Sequence, residues 1–218
     1  MRIEDTVCRA KGMVSPSFID LSTGRRVGFD MRHNTLSYMS AEAMAAAFGG
    51  DADYIPCRVG FIYGNQAEMP IDSAISRDQS WSQLVEDLSA ASQTSTIDVQ
   101  IVGFSYPPTL GGEKPAPAPS GSSDSSDSGD DSGDDYNHLL PGGSNAITFH
   151  AVSNSQDYGA AFGNAAFHNG DYIYQALLLG MHSGKYYILS RVSLKDGDRY
   201  LRKPDGFEVA LDWTVVFR

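Results

Sequence analysis

The chain is short of cysteine, of positive charge and of long apolar runs, and each shortage removes a class of function. Its two cysteines are Cys8 and Cys57. Two thiols make neither a disulfide framework nor a zinc cluster. Nothing marks the chain as secreted, so both read as reduced thiols, with a single bridge between them left open. Met1 to Thr6 carry no apolar stretch of the kind a signal peptide needs. No run approaches the roughly 20 apolar residues of a membrane span. Lys and Arg number 16 against 27 Asp and Glu, for a net charge of −11. Phosphate backbones are bound by clustered cations. The nearest such group, Arg199, Arg202 and Lys203, reads as a solvated turn. The expectation is a protein made in a cytoplasm, without direct nucleic-acid contact and without membrane insertion.

Signatures of catalysis are missing too. The five histidines are His33, His138, His150, His168 and His182. None has a second His or a Cys at ligand spacing, so each reads as a surface or turn residue. The sequence has no Gly-x-Ser-x-Gly, no His-Glu-x-x-His and no phosphate-binding glycine loop. Asp196-Gly197-Asp198 resembles part of a calcium loop but lacks its closing Glu, and reads as an Asp-Gly hairpin turn. Asp72, Asp78, Glu86 and Asp87 form no recognisable carboxylate pair. Tyr54, Tyr63, Tyr172, Tyr174, Tyr186 and Tyr187 could build an aromatic platform for sugars. The plainer reading is strand tyrosines that are half buried. No catalytic, cofactor-binding or metal-binding residue is nominated, and the chain is not expected to be an enzyme.

What the sequence does have is a long polar tract. Residues 107–143 open on Pro107-Pro108 and Gly111-Gly112, pass through Lys114-Pro-Ala-Pro-Ala-Pro119 and then hold only Ser, Gly and Asp from Ser120 to Asp135. From Ser120 to Asp135 no side chain is apolar. Such a segment buries too little surface to offset the entropy of ordering it, so it is expected to be disordered. It also holds six acids, Asp124, Asp127, Asp130, Asp131, Asp134 and Asp135; removing these six charges from −11 leaves −5. The acidity therefore belongs largely to the tract.

The flanking halves read mostly as strands. Phe18 to Phe29 predicts a hairpin around Gly24, and Tyr54 to Tyr63 a strand with Pro56 at an edge or bulge. Alternation predicts further strands at 97–104, 146–152, 172–179 and 185–192. In the last, 207–217, Phe207, Val209, Leu211, Trp213, Val215 and Phe217 share one face. Two short helices are predicted. The alanine-rich stretch 37–48 ends on Gly49-Gly50, and Ser80 with Gln83 forms a capping box before Leu84, Val85 and Leu88. The last strand needs more apolar partners than the later half supplies. The fold expected is thus mainly β with two short helices, an antiparallel β-sandwich-like domain with a long disordered acidic loop. Residues 1–106 and 144–218 form one discontinuous domain around the loop at 107–143. The alternative is a linker between two small domains.

Two stretches carry a resemblance. Lys203 to Phe217 resembles the C-terminal strand of tailed-bacteriophage structural proteins, where an alternating apolar strand carrying a Trp closes a β-sandwich. His33 to Tyr38 through Gly60 to Gly64 is similar to phage virion proteins. The resemblance covers about a quarter of the chain and brings no functional residues with it. It implies a non-enzymatic structural part of the virion, at the neck, tail or capsid. Other virion proteins would be its partners, with several copies forming a homo-oligomer in the particle. The alternative is a β-sandwich module binding carbohydrate or a host surface.

Overall fold

A computed structural model describes residues 10–37, 40, 42–43, 45–46, 56–71, 79–110, 146–153, 157–160 and 168–217. Among the described residues fourteen strands fall into two open sheets, neither closed into a barrel. The smaller sheet runs β2 (Arg26–Gly28), β1 (Ala10–Asp20), β14 (Phe207–Phe217), β8 (Ala146–Val152), β7 (Phe104–Leu110), with β3 (Arg32–His33) also beside β1. The larger runs β12 (Lys195–Asp196), β13 (Arg199–Arg202), β10 (Tyr172–His182), β5 (Pro56–Gly64), β6 (Ile97–Val102), β9 (Asp157–Ala160). Beside β10 lies β11 (Lys185–Ser193), which pairs in turn with β4 (Thr35–Leu36). Every pairing is antiparallel.

The alternation along β14 does what its pattern implies. Val209, Leu211 and Trp213 are buried between the sheets with Val14, Phe18 and Phe149. Val59, Phe61, Ile173, Ala176, Leu178 and Leu189 meet them from the larger sheet. The larger sheet is also apolar on its other face. Ile62, Val99, Ile101, Leu177, Leu179 and Ile188 form a second core there. The helix α1 (Trp81–Ser92) covers it through Leu84, Leu88 and Ala91. Burying each of these leucines contributes on the order of 2 kcal/mol. Ser80 caps α1 by accepting from the Gln83 backbone N–H, while the Gln83 side chain accepts from the Ser80 N–H.

This corrects the expected two-layer β-sandwich with two short helices. The layers are sheet, sheet and a single helix. The physical reason lies in β5 and β10, which are apolar on both faces and so need a cover on each. α1 is the one helix that the described residues span whole, although residues 40, 42–43 and 45–46 are also helical. The other expected helix, 37–48, falls largely outside them; within it, Ser40 donates to the Leu189 carbonyl and Ala43 is buried in the inter-sheet core.

Other elements match their sequence signals. The β1–β2 hairpin turns at Gly24, whose φ is +69°. Leu110 ends β7, so strand pairing continues four residues into the stretch assigned by composition to the loop. Pro107 and Pro108 sit in this edge strand, where a missing N–H leaves no central ladder broken. Residues 111–145, with the acidic tract, lie outside those described. Strands from both sides of the tract interleave: β14 lies between β1 and β8, and β10 pairs with β5.

Candidate functional site

A bulge in β10 supports a cleft among the described residues. Ile173 pairs with Tyr63 and Gln175 with Ile62, so Tyr174 is the extra residue between them. The bulge turns Tyr174 and Gln175 to the same face, the one that carries Ile62 and α1. Both then reach the segment after β5. The Tyr174 hydroxyl donates to the Gln66 carbonyl at 2.7 Å, and Gln175 Nε2 approaches Met69 Sδ at 3.6 Å. Burial pushes the Tyr174 phenol up to about 12, with the bond to Gln66 working against the rise. Tyr174 also supports the opposite wall. Its ring meets that of Tyr200 edge to face, with centroids 5.1 Å apart and planes at 84°.

Tyr200 belongs to the β12–β13 hairpin, which joins β10 through the pairs Ile173–Leu201 and Tyr172–Arg202. The hairpin closes on Gly197-Asp198, with Gly197 at φ +60°. Glycine in the first central position is the preference of a II′ turn. Between this hairpin and the 67–71 segment is a cleft of ≈ 480 Å³ lined by Glu68, Met69, Pro70, Ile71, Lys195, Asp198 and Tyr200. The Lys195 ammonium lies 4.8 Å from the centroid of the Tyr200 ring. The ion pairs among the described residues are Arg26–Asp212, His150–Asp212 and His168–Asp171. Glu68, Lys195 and Asp198 enter none of them. The cleft thus presents one aromatic ring, one cation already resting on it and two uncommitted carboxylates. That is chemistry for recognition.

A second polar group crosses the outer face of the smaller sheet. Asp212 on β14 accepts from Arg26 Nη2 at 2.8 Å through one oxygen and meets His150 Nδ1 at 2.9 Å through the other. Arg26 Nε in turn donates to Ser17 Oγ. The residue types are those of a hydrolase triad, but the order is Ser17, Arg26, Asp212, His150. In a triad the histidine stands between serine and carboxylate. Here the guanidinium does, so the serine and the imidazole lie at opposite ends of the chain. The group ties four strands together and makes no nucleophile.

The remaining residues singled out in the sequence are dispersed. His33 is exposed, His168 sits beside Asp171 at 3.6 Å, and His182 ends β10. His150 departs from the surface reading, being 3 % exposed. His138, Tyr54, Asp72 and Asp78 lie outside the described residues. Tyr63, Tyr174 and Tyr187 are buried, so the named tyrosines share no open platform. Tyr172 carries Arg202 over its ring at 5.7 Å, and Tyr186 packs on Trp81. Lys203 is no solvated turn residue; it is buried, with Nζ donating to Asn169 Oδ1 at 2.8 Å. Among the described residues no three His, Cys, Asp or Glu gather as metal ligands, and no helix is long and apolar enough to cross a membrane. Tyr200, Lys195 and Glu68 carried no sequence signal, because the cleft joins segments more than 120 residues apart.

Comparison with known proteins finds no match to a family model, a curated protein or a solved structure.

Proposed function

We propose that the protein is a non-enzymatic structural component of a bacteriophage virion, acting through protein–protein assembly contacts. One observation carries the reading. The segment that resembles phage structural proteins, Lys203 to Phe217, forms the central strand β14, with Trp213 fully buried between the sheets. Two surface features support it. Among the described residues the large apolar side chains left exposed, Leu21 and Val27, both lie on the β1–β2 hairpin, where a partner would cover them. The short outer strands β2, β9 and β12 and the prolines of β7 discourage edge-to-edge pairing. Association then falls to side-chain surfaces and can be specific. The test is mass spectrometry of purified particles from the source, together with the neighbouring genes. The expected result is the protein at a fixed copy number among portal, capsid or tail genes. Its absence from particles, with its gene in a metabolic operon, overturns the reading.

A further inference from the structure

We propose that the cleft between residues 67–71 and the β12–β13 hairpin receives a basic side chain of a partner protein, whose cation takes the place over Tyr200 now held by Lys195. The inference deepens the assembly reading and rests on it for the partner being a protein.

Three observations point to a cation. First, the ring of Tyr200 already carries one, at 4.8 Å from its centroid. A phenol face attracts an ammonium or guanidinium through its quadrupole. Second, the resident cation is loosely held. Lys195 is exposed, on a strand of two residues, and no carboxylate pairs with it among the described residues. Moving its flexible stem into water costs little. Third, the lining is acidic once Lys195 leaves, since Glu68 and Asp198 are then its charged residues. The chain as a whole carries −11, which steers a basic partner toward it.

The walls are set in advance. Tyr174 holds Gln66 on one side through its hydroxyl and Tyr200 on the other through its ring. A pre-built cleft loses less ordering entropy when it binds. Arginine suits it better than lysine, because a planar guanidinium stacks on the phenol and forks onto a carboxylate. The volume of ≈ 480 Å³ leaves room for the flanking backbone.

The test titrates a tetra-arginine peptide into the full-length protein by calorimetry, with tetra-glutamate and a neutral tetrasaccharide as controls. Tetra-arginine should bind saturably and weaken with salt, and the controls should not bind. Glu68→Gln with Asp198→Asn should weaken it about tenfold. These side chains are exposed, so the fold is not at stake, and the six aspartates of the 124–135 tract remain. Unchanged affinity in this variant would assign the binding to the tract and overturn the proposal. Lys195→Met should tighten binding about two- to fivefold by vacating the ring. A site for anions or sugars would lose a donor and weaken instead, which also overturns it, as does failure of tetra-arginine to bind. Binding that behaves as described in a protein absent from particles would overturn the assembly reading alone. A protein present in particles whose cleft ignores the peptide would overturn this inference alone.

Discussion

Tyr187 covers Gly180, its partner across the β10–β11 hairpin, so closely that a Cβ on Gly180 would lie 2.2 Å from the phenol Cζ. The glycine is there for space: the strand gives up its own side chain and an aromatic ring fills the gap. Gly180→Ala should therefore lower stability by about 1–3 kcal/mol through overpacking, read as a lower urea midpoint. In a Tyr187→Leu background the same change should cost clearly less, because the obstructing ring atoms are gone. Equal costs in the two backgrounds would show that the ring is not the obstacle.

Alkaline pH should expose the burial of Tyr174. Its phenol titrates at about 12 in the folded protein, above the ~10 of an unfolded tyrosine. The native state keeps this proton after the unfolded state has lost it. The stabilisation is therefore whole below pH 10 and falls as pH rises from about 10 to about 12, by on the order of 2 kcal/mol. Arg191 works in the opposite sense. Burial pulls its guanidinium down to about 10, so the cost of burying that charge lightens over the same interval. Unfolding free energies measured from pH 9 to 11.5 should fall less steeply in Tyr174→Phe than in the parent. At neutral pH that variant should lose about 0.5–1.5 kcal/mol with the bond to Gln66. Parallel pH profiles would contradict the assignment.

How far these features could be read in advance depends on how local their cause is. The capping box at Ser80 and Gln83 and the alternation of β14 are written within a few residues and reappear in the structure. The third layer was not legible from β10. Its run from Ile173 to Gly180 is buried throughout, and a continuous apolar run does not say which residue faces which layer. The bulge at Tyr174 shifts the alternation by one, and no residue type announces it. The cleft is less legible still. Asp198 could be placed at a hairpin turn from Asp196-Gly197-Asp198, but its meeting with Glu68 is set by how β13 and β5 flank β10.

The two tryptophans offer a direct view of the layers. Trp213 is fully buried between the sheets, whereas Trp81 at the start of α1 is partly open and meets Tyr186 edge-on, with ring centroids 5.4 Å apart. Trp81→Phe should leave a blue-shifted emission poorly quenched by acrylamide, and Trp213→Phe a redder, readily quenched one. The Trp213 Nε1 is buried with no hydrogen-bond partner among the described residues. Trp213→Phe removes that orphan donor along with ring volume, so its cost should be nearer 2 than the ~3–5 kcal/mol of truncating the ring to alanine. Strong quenching of Trp213 in the folded protein would place solvent between the sheets and contradict their packing.

Arg191 supplies the last prediction, because it is a charge that is 3 % exposed. Its Nε and Nη2 donate to Gln175 Oε1 at 3.2 and 2.7 Å, and its Nη1 donates to Gln79 Oε1. Gln79 Nε2 then donates to Asp87 on α1 at 2.7 Å, leading the charge toward the surface. A buried cation is costly in itself, and removing its acceptors costs more than removing the whole group. Gln175→Leu should thus be severe, about 2–4 kcal/mol, since it strands two guanidinium donors. Arg191→Met should be milder, since the orphaned amide oxygen of Gln175 is neutral. In the double variant neither partner is left, and two apolar side chains extend the core beneath α1. Its loss should be smaller than that of Gln175→Leu alone, a coupling of at least about 1 kcal/mol in a double-mutant cycle. Additive losses would mean that Arg191 draws its compensation from elsewhere, and that the pair does not hold the helix to the sheet.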